Sequence, residues 1–441
     1  MSSSATAITN RQVLRLALPI MASNLSTPLL GIVDTAVVGR LPDPAHIGAV
    51  AVGALVFSFV FWAFGFLRMG TTGMTAQALG AEDHAEVEAT LARAVVTAVV
   101  AGAGLIALQW PIRELAFHLV DGSPQVEMLA RRYFDARIYS APAALTNYAL
   151  LGWFVGRGRT DIGLVLQLVL NVTNMTLDAW FVLGLDWGVG GVGLGTTLAE
   201  WTAALVGIAV AARHLREKEL AGAGFDRARV FDRAKLRRTF AVNADIMVRS
   251  LSLVFVFVFF MAEGASRGDV LLAANAVLMQ FIDASAYFLD GLAFAAESLV
   301  GRAIGAKRPA DFWRACVVST RWAVGIAALL SLAFFLFGFA FVDLLTTSPD
   351  ARVAAREYLP WAAAAPIAGV LAFQLDGVFI GATRTVAMRN AMLISTGIFL
   401  LAWWLLLPFG NHGLWAAFFV HYAARTLTLG VPFVRWRNWF G

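Results

Sequence analysis

Four polar side chains recur at helical spacing within one otherwise apolar stretch of the sequence. They occupy positions i, i+4, i+7 and i+11: Gln167, Asn171, Asn174 and Asp178. At about 100° per residue they fall within about 60° of one another, so on a helix they form one stripe. Amides alone can join helices within a membrane by hydrogen bonds. The carboxylate on the same stripe favours a functional site, because an ionisable group in apolar surroundings is costly and usually faces a cavity or a partner.

A second polar stripe comes early in the chain. Asn24, Thr27 and Asp34 lie on one side of a predicted helix. They follow Pro19, which is expected to kink that helix because proline removes a backbone hydrogen bond and its ring crowds the preceding turn. This stripe therefore predicts a polar, bendable first helix.

The acids of these two stripes could carry a proton. Asp34 and Asp178 are both expected toward the outer half of the first part of the chain, and Thr196 and Glu200 lie one turn apart in the next predicted helix. Two carboxylates brought close in a poorly hydrated pocket cannot both stay ionised, because burial and like-charge repulsion both disfavour the charged form. Such a pair can take up a proton at one stage and release it at another, which is the chemistry of proton coupling.

Charged residues in the second part of the chain form a further candidate set. Asp283, Asp290 and Glu297 follow one another at seven-residue spacing, hence on one helix face at about 10 Å per step. Arg249 is expected at a similar depth to Asp290, so we predict that these two pair, either as a structural ion pair or in transport. The other candidates for contact with a substrate are polar residues of further apolar stretches: Asn147 and Asp376.

The composition indicates what kind of protein carries these residues. Of 441 residues, 59% are hydrophobic and only 14% charged, with a mean hydropathy of +0.72. A soluble protein is about 45–50% apolar and about 25% charged. The excess of apolar residues requires a lipid bilayer as solvent. The net charge of +5 then indicates Lys and Arg on the cytoplasmic side rather than nucleic-acid binding, and the single Cys316 excludes an intramolecular disulfide and a cysteine-based metal site.

Apolar stretches of about 20 residues, the length of a spanning helix, occur twelve times. They begin near Val13, Ile47, Leu91, Tyr133, Ile162, Gly191, Phe240, Val270, Cys316, Tyr358, Ala387 and Gly413. The longest polar segment, from Arg213 to Arg238, holds nine Lys and Arg, and alternate loops on the same side are also basic. Basic loops mark the cytoplasmic side. We therefore expect an all-α polytopic protein of the cytoplasmic membrane with both termini in the cytoplasm.

The chain also repeats itself at one constant offset, which carries position 77 onto position 302. Gln77-Ala-Leu-Gly-Ala81 matches Arg302-Ala-Ile-Gly-Ala306, and at the same offset Val155-Gly-Arg-Gly-Arg-Thr160 matches Ile380-Gly-Ala-Thr-Arg-Thr385. The repeat predicts two pseudo-symmetric six-helix lobes, residues 1–212 and 239–441, joined by a cytoplasmic linker at 213–238. Transporters built from parallel repeats place the substrate site between the two halves.

Several segments, spread in order over nearly the whole chain, resemble the multidrug and toxic compound extrusion (MATE) family and in particular its DinF-like branch. They are Pro19 with Asp34-Thr-Ala-Val-Val-Gly39, Gly73-Met-Thr-Ala-Gln-Ala-Leu-Gly80, Asn174-x-x-x-Asp178, Gly188-Val-Gly-Gly-Val-Gly-Leu-Gly-Thr196, and Asp376-Gly-Val-Phe-Ile-Gly-Ala-Thr-Arg384.

This resemblance implies twelve helices in two lobes, alternating access to a central cleft, and export of cationic or amphipathic compounds against inward flow of protons or sodium. The family's cation site in the first lobe corresponds here to four residues: Asp34, Asn174, Asp178 and Thr196. The branch with a sodium site in the second lobe uses an acid on the seventh helix. This chain offers only Asp245 and Glu263 there, neither well placed, so a proton is the favoured coupling ion, with sodium as the alternative and no other cofactor.

The leading hypothesis is a monomeric, proton-coupled multidrug exporter whose partners are small-molecule substrates and membrane lipid. One alternative is a flippase for lipid-linked precursors of the wider superfamily, which is expected to line its cleft with several Arg, whereas the candidates here are mostly acidic. Another is an intramembrane enzyme that uses the Asp pair as acid and base. No H-E-x-x-H or G-x-S-x-G motif supports an enzyme, so we expect none.

Overall fold

The computed structural model describes residues 8–41, 43–119, 123–216 and 226–440, and within them it is helical, with no strand. The helices, in chain order, are α1 (Asn10–Val38), α2 (Ala45–Trp62), α3 (Phe66–Gly80), α4 (His84–Ala107), α5 (Gln109–Leu119), α6 (Pro124–Arg137), α7 (Ala141–Gly156), α8 (Thr160–Ala179), α9 (Gly188–Leu215), α10 (Arg227–Val230), α11 (Arg233–Ser266), α12 (Asp269–Gly305), α13 (Pro309–Leu345), α14 (Pro349–Gly381), α15 (Thr385–Leu406) and α16 (Gly410–Val434).

Ten helical segments of the described residues are long and apolar enough to cross a bilayer. One of them, Thr385–Val434, has 50 residues and is interrupted by Leu407–Phe409 and by Gly410 at φ +59°. Because a span needs about 20 residues, this segment holds two, α15 and α16. Helices α6 and α7, joined by the turn Ile138–Ser140, make the twelfth, which is more charged than the others. The predicted all-α fold of twelve spans is confirmed.

The chain divides into two compact units. The N-terminal unit is Ala22–Phe240, and the C-terminal unit comprises the described residues up to Met21 together with those from Ala241 onward. Helix α1 thus contributes to both units, and the division falls shortly after Pro19. A kink at Pro19 stays a prediction.

The predicted linker is partly described. Its residues 217–225 lie outside the described residues, and the rest holds α10 and the start of α11. Glu86 of α4 pairs with both Arg93 and Lys235. Arg93 Nη1 donates to the Arg229 carbonyl at 2.9 Å, and Arg229 Nη1 reaches Asp83 Oδ1 at 2.8 Å. These contacts fasten the described part of the linker to the start of α4 within the N-terminal unit.

A buried aromatic group lies at the centre of each unit. Trp153 and Phe154 of α7 are fully buried in the N-terminal unit, where Trp153 Nε1 donates to the Val87 carbonyl at 3.0 Å. In the C-terminal unit, the Phe260 and Trp415 rings meet edge to face with centroids 4.9 Å apart. These contacts join α7 to α4 in the N-terminal unit and α11 to α16 in the C-terminal unit.

The internal repeat is visible in the backbone. Glu82 (φ +57°) and Lys307 (φ +53°) both follow a helix end in the left-handed conformation, and the repeat offset carries one onto the other. Gly158 (φ +68°) and Thr383 (φ +51°) form a second such pair. Left-handed residues close helices by bonding the last free carbonyls. The same turns therefore end α3 and α12, and likewise α7 and α14.

The repeat extends to the closest helix contacts. A Cβ at Gly152 or Gly156 of α7 would collide with the carbonyl oxygens of Arg68 and Thr72 in α3. The equivalent glycines of α14 meet the equivalent carbonyls of α12, again at the repeat offset: Gly377 with Ala293, and Gly381 with Glu297. Glycine at these positions lets two helices approach until backbone meets backbone, as small residues do in membrane bundles.

Replacing Gly152 with alanine is expected to lower stability, because the new methyl group overlaps the Arg68 carbonyl and neither backbone can yield. Overpacking of this kind costs about 1–3 kcal/mol. The matched control is Gly325→Ala in α13, where a Cβ meets nothing within 4 Å. Alanine there should be neutral or stabilising by up to about 1 kcal/mol, since glycine is a poor helix former. Thermal melting in detergent measures both, and equal melting temperatures for Gly152→Ala and the parent protein would contradict the packing argument.

Candidate functional site

Three helices of the N-terminal unit bring the four residues of the candidate cation site together. Asp34 lies in the last turns of α1, Asn174 and Asp178 one turn apart in α8, and Thr196 in α9. Asn174 Nδ2 donates to Thr196 Oγ1 at 3.1 Å, and that hydroxyl donates to the Val192 carbonyl at 3.0 Å. Asn174 and Asp178 are completely buried.

Asp34 and Asp178 form a carboxyl pair. Their side chains lie within hydrogen-bonding range of each other. Among the residues that the structure describes, none places a donor in full hydrogen-bond geometry at Asp34 Oδ1 or at either carboxyl oxygen of Asp178, although the Asn174 side chain lies near enough to act on Asp178. A buried acceptor without a donor costs about 1–3 kcal/mol, and more when it is charged. The site therefore presents acceptor atoms that a proton or another small cation would satisfy.

The backbone around Asp178 is shaped to hold it. A Cβ at Gly195 of α9 would overlap Asp178 Oδ1, so only glycine leaves room for this carboxyl group. Shortly after Asp178, the helix continues as a π-helical turn, Trp180–Gly184. Such turns are rare and frequent at functional sites.

Arg137, the last residue of α6, was not predicted to belong to this site. Its charge acts on both Asp34 and Asp178. Its Nη1 donates to the Tyr133 hydroxyl at 2.5 Å, and its guanidinium lies 4.9 Å from the ring centroid of Phe57. A lone arginine within the fourth predicted span was the sequence signal that could have identified it. The carboxyl pair thus lies near a fixed positive charge.

The polar stripe of α8 divides into two parts. Gln167 Nε2 donates to Asn171 Oδ1 at 2.9 Å, and Asn171 Nδ2 donates to Ser26 Oγ of α1 at 2.9 Å. These amides join two helices, the structural role that amides can have in membranes. Further along the stripe, Asn174 contacts Thr196 and Asp178 contacts Asp34, so these two residues belong to the candidate cation site.

The other N-terminal candidates are placed differently. Asn147 of α7 donates through Nδ2 to Glu200 Oε2 at 2.7 Å and to the Glu200 carbonyl at 3.0 Å. Thr27 is exposed and Asn24 half-buried. Asn147 and Glu200 therefore form a polar pair of their own between α7 and α9.

Asp376 lies between two arginines in the C-terminal unit. Its Oδ2 pairs with Arg249 and, at 2.6 Å, with Arg425 Nη2, and all three side chains are buried. Sequence reasoning proposed Asp290 as the partner of Arg249 and did not identify Arg425. The structure gives Asp376 as a partner of Arg249, and pairing with Asp290, which is half-buried, stays a prediction. Asp283 of the same α12 stripe is exposed.

The repeat places aromatic residues where the N-terminal unit has its acids. At the repeat offset, Asp34, Asn174 and Asp178 correspond to Phe259, Phe399 and Trp403. The Phe259 ring meets Trp403 edge to face at 4.9 Å and Phe399 at 5.7 Å between centroids. Equivalent helices thus meet in two different ways: α11 and α15 through aromatic packing, and α1 and α8 through a carboxyl pair.

Comparison with known proteins agrees with this architecture. The MatE family model matches residues 19–180 and 246–404. The chain is 42% identical over 432 residues to DNA damage-inducible protein F of Escherichia coli strain K12, covering 96% of this chain and 93% of that one. It is 27% identical over 424 residues to a probable multidrug resistance protein NorM of Caulobacter vibrioides, covering 90% and 85%.

Solved structures agree in fold. An outward-facing multidrug resistance MATE family transporter of the MOP superfamily superposes with a TM-score of 0.87 at 17% identity, over 98% of this chain and 96% of that chain. Both the family model and the relatives extend across the two repeats. The chain is therefore a multi-pass membrane transporter rather than an enzyme, and it belongs to the MATE family of multidrug efflux transporters.

Proposed function

We propose that this protein exports cationic or amphipathic small molecules from the cytoplasm in exchange for protons, by alternating access. The observation that carries the proposal is the pair of neighbouring carboxyl groups formed by half-buried Asp34 and fully buried Asp178, in which Asp34 Oδ1 and both Asp178 oxygens are buried with no hydrogen-bond donor in place among the described residues. When both carboxyl groups are ionised, their oxygens can only accept hydrogen bonds, so neither group supplies a donor to the other. A proton on either carboxyl supplies the missing donor, and its loss leaves two like charges in a site with little water.

Exchange follows from competition for the same negative charge. When both acids are ionised, the pair attracts a cationic substrate, and when one is protonated, that attraction weakens and the substrate is released. The hydrogen bond from Asn174 to Thr196 joins α8 to α9 one turn before Asp178 and so supports the helix that carries this acid. Each proton that enters provides about 2.3 kcal/mol per 100 mV of membrane potential, which can drive the substrate outward.

Contacts in the C-terminal unit favour protons over sodium. Asp245, one of two acids on α11 where a second-lobe sodium site would be expected, is held by Arg389 Nη1 at 2.6 Å and by the Thr385 hydroxyl at 2.9 Å. The other, Glu263, pairs with Arg267 at 3.7 Å. Both acids are thus compensated by arginine, and a sodium ion would have to displace these partners.

The protein would work as a monomer in the cytoplasmic membrane, with both termini in the cytoplasm. The support for this orientation is the concentration of Lys and Arg in the segment from Arg213 to Arg238 and in the alternate loops on the same side.

Replacing Asp34 with asparagine is expected to abolish proton-driven efflux, because the amide keeps the shape of the side chain but cannot exchange a proton. The measurement is dye efflux from proteoliposomes under an imposed pH gradient, with folding checked by thermal melting. Asp161→Asn is the matched control: this acid lies in the first turn of α8, is exposed, and pairs with Arg159 at 3.0 Å. Efflux should fall to the level of empty liposomes in the first variant and stay near the parent level in the control. Parent-like efflux by Asp34→Asn would refute the mechanism.

The coupling ion is tested by imposing gradients one at a time on the same proteoliposomes. An inward proton gradient without sodium should drive efflux, because the carboxyl pair can gain and lose a proton. An inward sodium gradient at equal pH should drive none. Efflux driven by sodium alone would contradict proton coupling.

A further inference from the structure

A basic and aromatic surface lies at the start of α13 in the C-terminal unit. Two clefts open there, of about 410 and 520 Å³, and Trp313 lines both. Arg314 and Arg321 line the first cleft with Val317 and Val318. Transport by the carboxyl pair does not involve these residues, which belong to the other unit.

The first cleft carries two positive charges without a matching acid. Arg314 and Arg321 are seven positions apart, so they project from one face of α13 about 10 Å apart along its axis. Arg314 Nε donates to the Ile8 carbonyl at 2.6 Å, which fixes the direction of its guanidinium group. The nearest acid in the sequence, Asp311, pairs with Arg308 at 3.8 Å. Within the described ranges, the ion pairs include neither Arg314 nor Arg321.

Stacked aromatic rings border the two clefts. The Trp313 ring stacks on Trp436 with centroids 5.7 Å apart and planes inclined by 16°, and on Phe433 at 6.4 Å and 23°. Tryptophan concentrates at the boundary between lipid and water, at the level of the headgroups. This wall of rings therefore places Arg314, the next residue of α13, at headgroup depth, with Arg321 about 10 Å further along the helix axis.

The same face of α13 continues as exposed apolar side chains. Leu332, Leu336 and Phe339 lie in line with Arg314 and Arg321 on the helix, and each is more than half exposed. Leu332 is about 16 Å beyond Arg321 along the axis at about 1.5 Å per residue. A molecule with an anionic end and a long apolar chain would match both parts of this face.

We propose that the cleft lined by Arg314 and Arg321 binds an anionic phospholipid. The two guanidinium groups hold the phosphate, the Trp313 wall borders the headgroup, and one acyl chain lies along α13 toward Leu332. Planar guanidinium groups match phosphate oxygens in bidentate pairs, and basic clefts between membrane helices bind anionic headgroups. A lipid without net charge attracts the two arginines less strongly than an anionic lipid does.

The test is native mass spectrometry of the full-length protein, titrated with phosphatidylglycerol or phosphatidylcholine in detergent. The parent protein should bind phosphatidylglycerol more tightly. Arg321→Gln should weaken that binding about fivefold, the factor that one arginine contributes near an anionic surface. Arg321→Lys should keep most of it. The control is Arg213→Gln, an exposed arginine at the end of α9, which should bind as the parent does.

Thermal melting gives a second reading that does not depend on ions surviving in the gas phase. Phosphatidylglycerol should raise the melting temperature of the parent and of Arg213→Gln more than that of the double variant Arg314→Gln/Arg321→Gln. Equal affinity of Arg321→Gln and the parent, equal binding of the two lipids, or the same stabilisation by inorganic phosphate alone would each overturn the lipid site. None of these results depends on whether Asp34 carries a proton.

Discussion

An unpaired polar group finds no water in the core of a bilayer, and this constraint organises the whole molecule. It makes every described span a helix, because only there are backbone groups bonded within the segment. It also explains why polar side chains inside the spans occur in partnered sets. Asn275 and Asn411 bond each other reciprocally at 2.9 and 3.0 Å, and Asp376 lies between two arginines. Asp34 and Asp178 depart from this pattern: buried carboxyl oxygens of two neighbouring acids lack a donor among the described residues, and chemistry is expected where ionisable groups are left so.

Local periodicity explains what could be predicted from the sequence. Span length and the internal repeat specified twelve helices, because both depend only on spacing along the chain. The acids of the candidate site could be selected for the same reason, since one face of a helix is fixed by its turn of about 3.6 residues. The contribution of Arg137 and the Arg425–Asp376 contact could not. Depth along a helix can be counted, but which neighbour a side chain meets depends on how helices rotate against one another, as the Asp376 partner of Arg249 illustrates.

The two repeats share their helix ends and closest helix contacts but differ at the positions of the carboxyl pair. Left-handed turns and glycine contacts recur at equivalent positions, so the helix ends and the closest approaches are set by the same residue types in both units. The positions of the carboxyl pair differ completely, with Phe259 and Trp403 in place of Asp34 and Asp178. Edge-to-face rings contribute about 0.5–1.5 kcal/mol beyond the area they bury, whereas buried carboxyl oxygens without a donor lower stability. The C-terminal unit thus packs ring against ring at the point where the N-terminal unit holds two ionisable groups.

The glycine contacts also bear on how the two repeats of this chain arose. Gly152 and Gly377 each tolerate only a hydrogen atom as side chain, against a carbonyl at the same place in each half. Matched close contacts at one offset, beside positions where one half has acids and the other has aromatic rings, are what gene duplication and fusion would leave behind. Two copies of a six-helix unit would carry identical sites, and once they are joined in one chain each half can keep the shared helix contacts while only one half needs the acids.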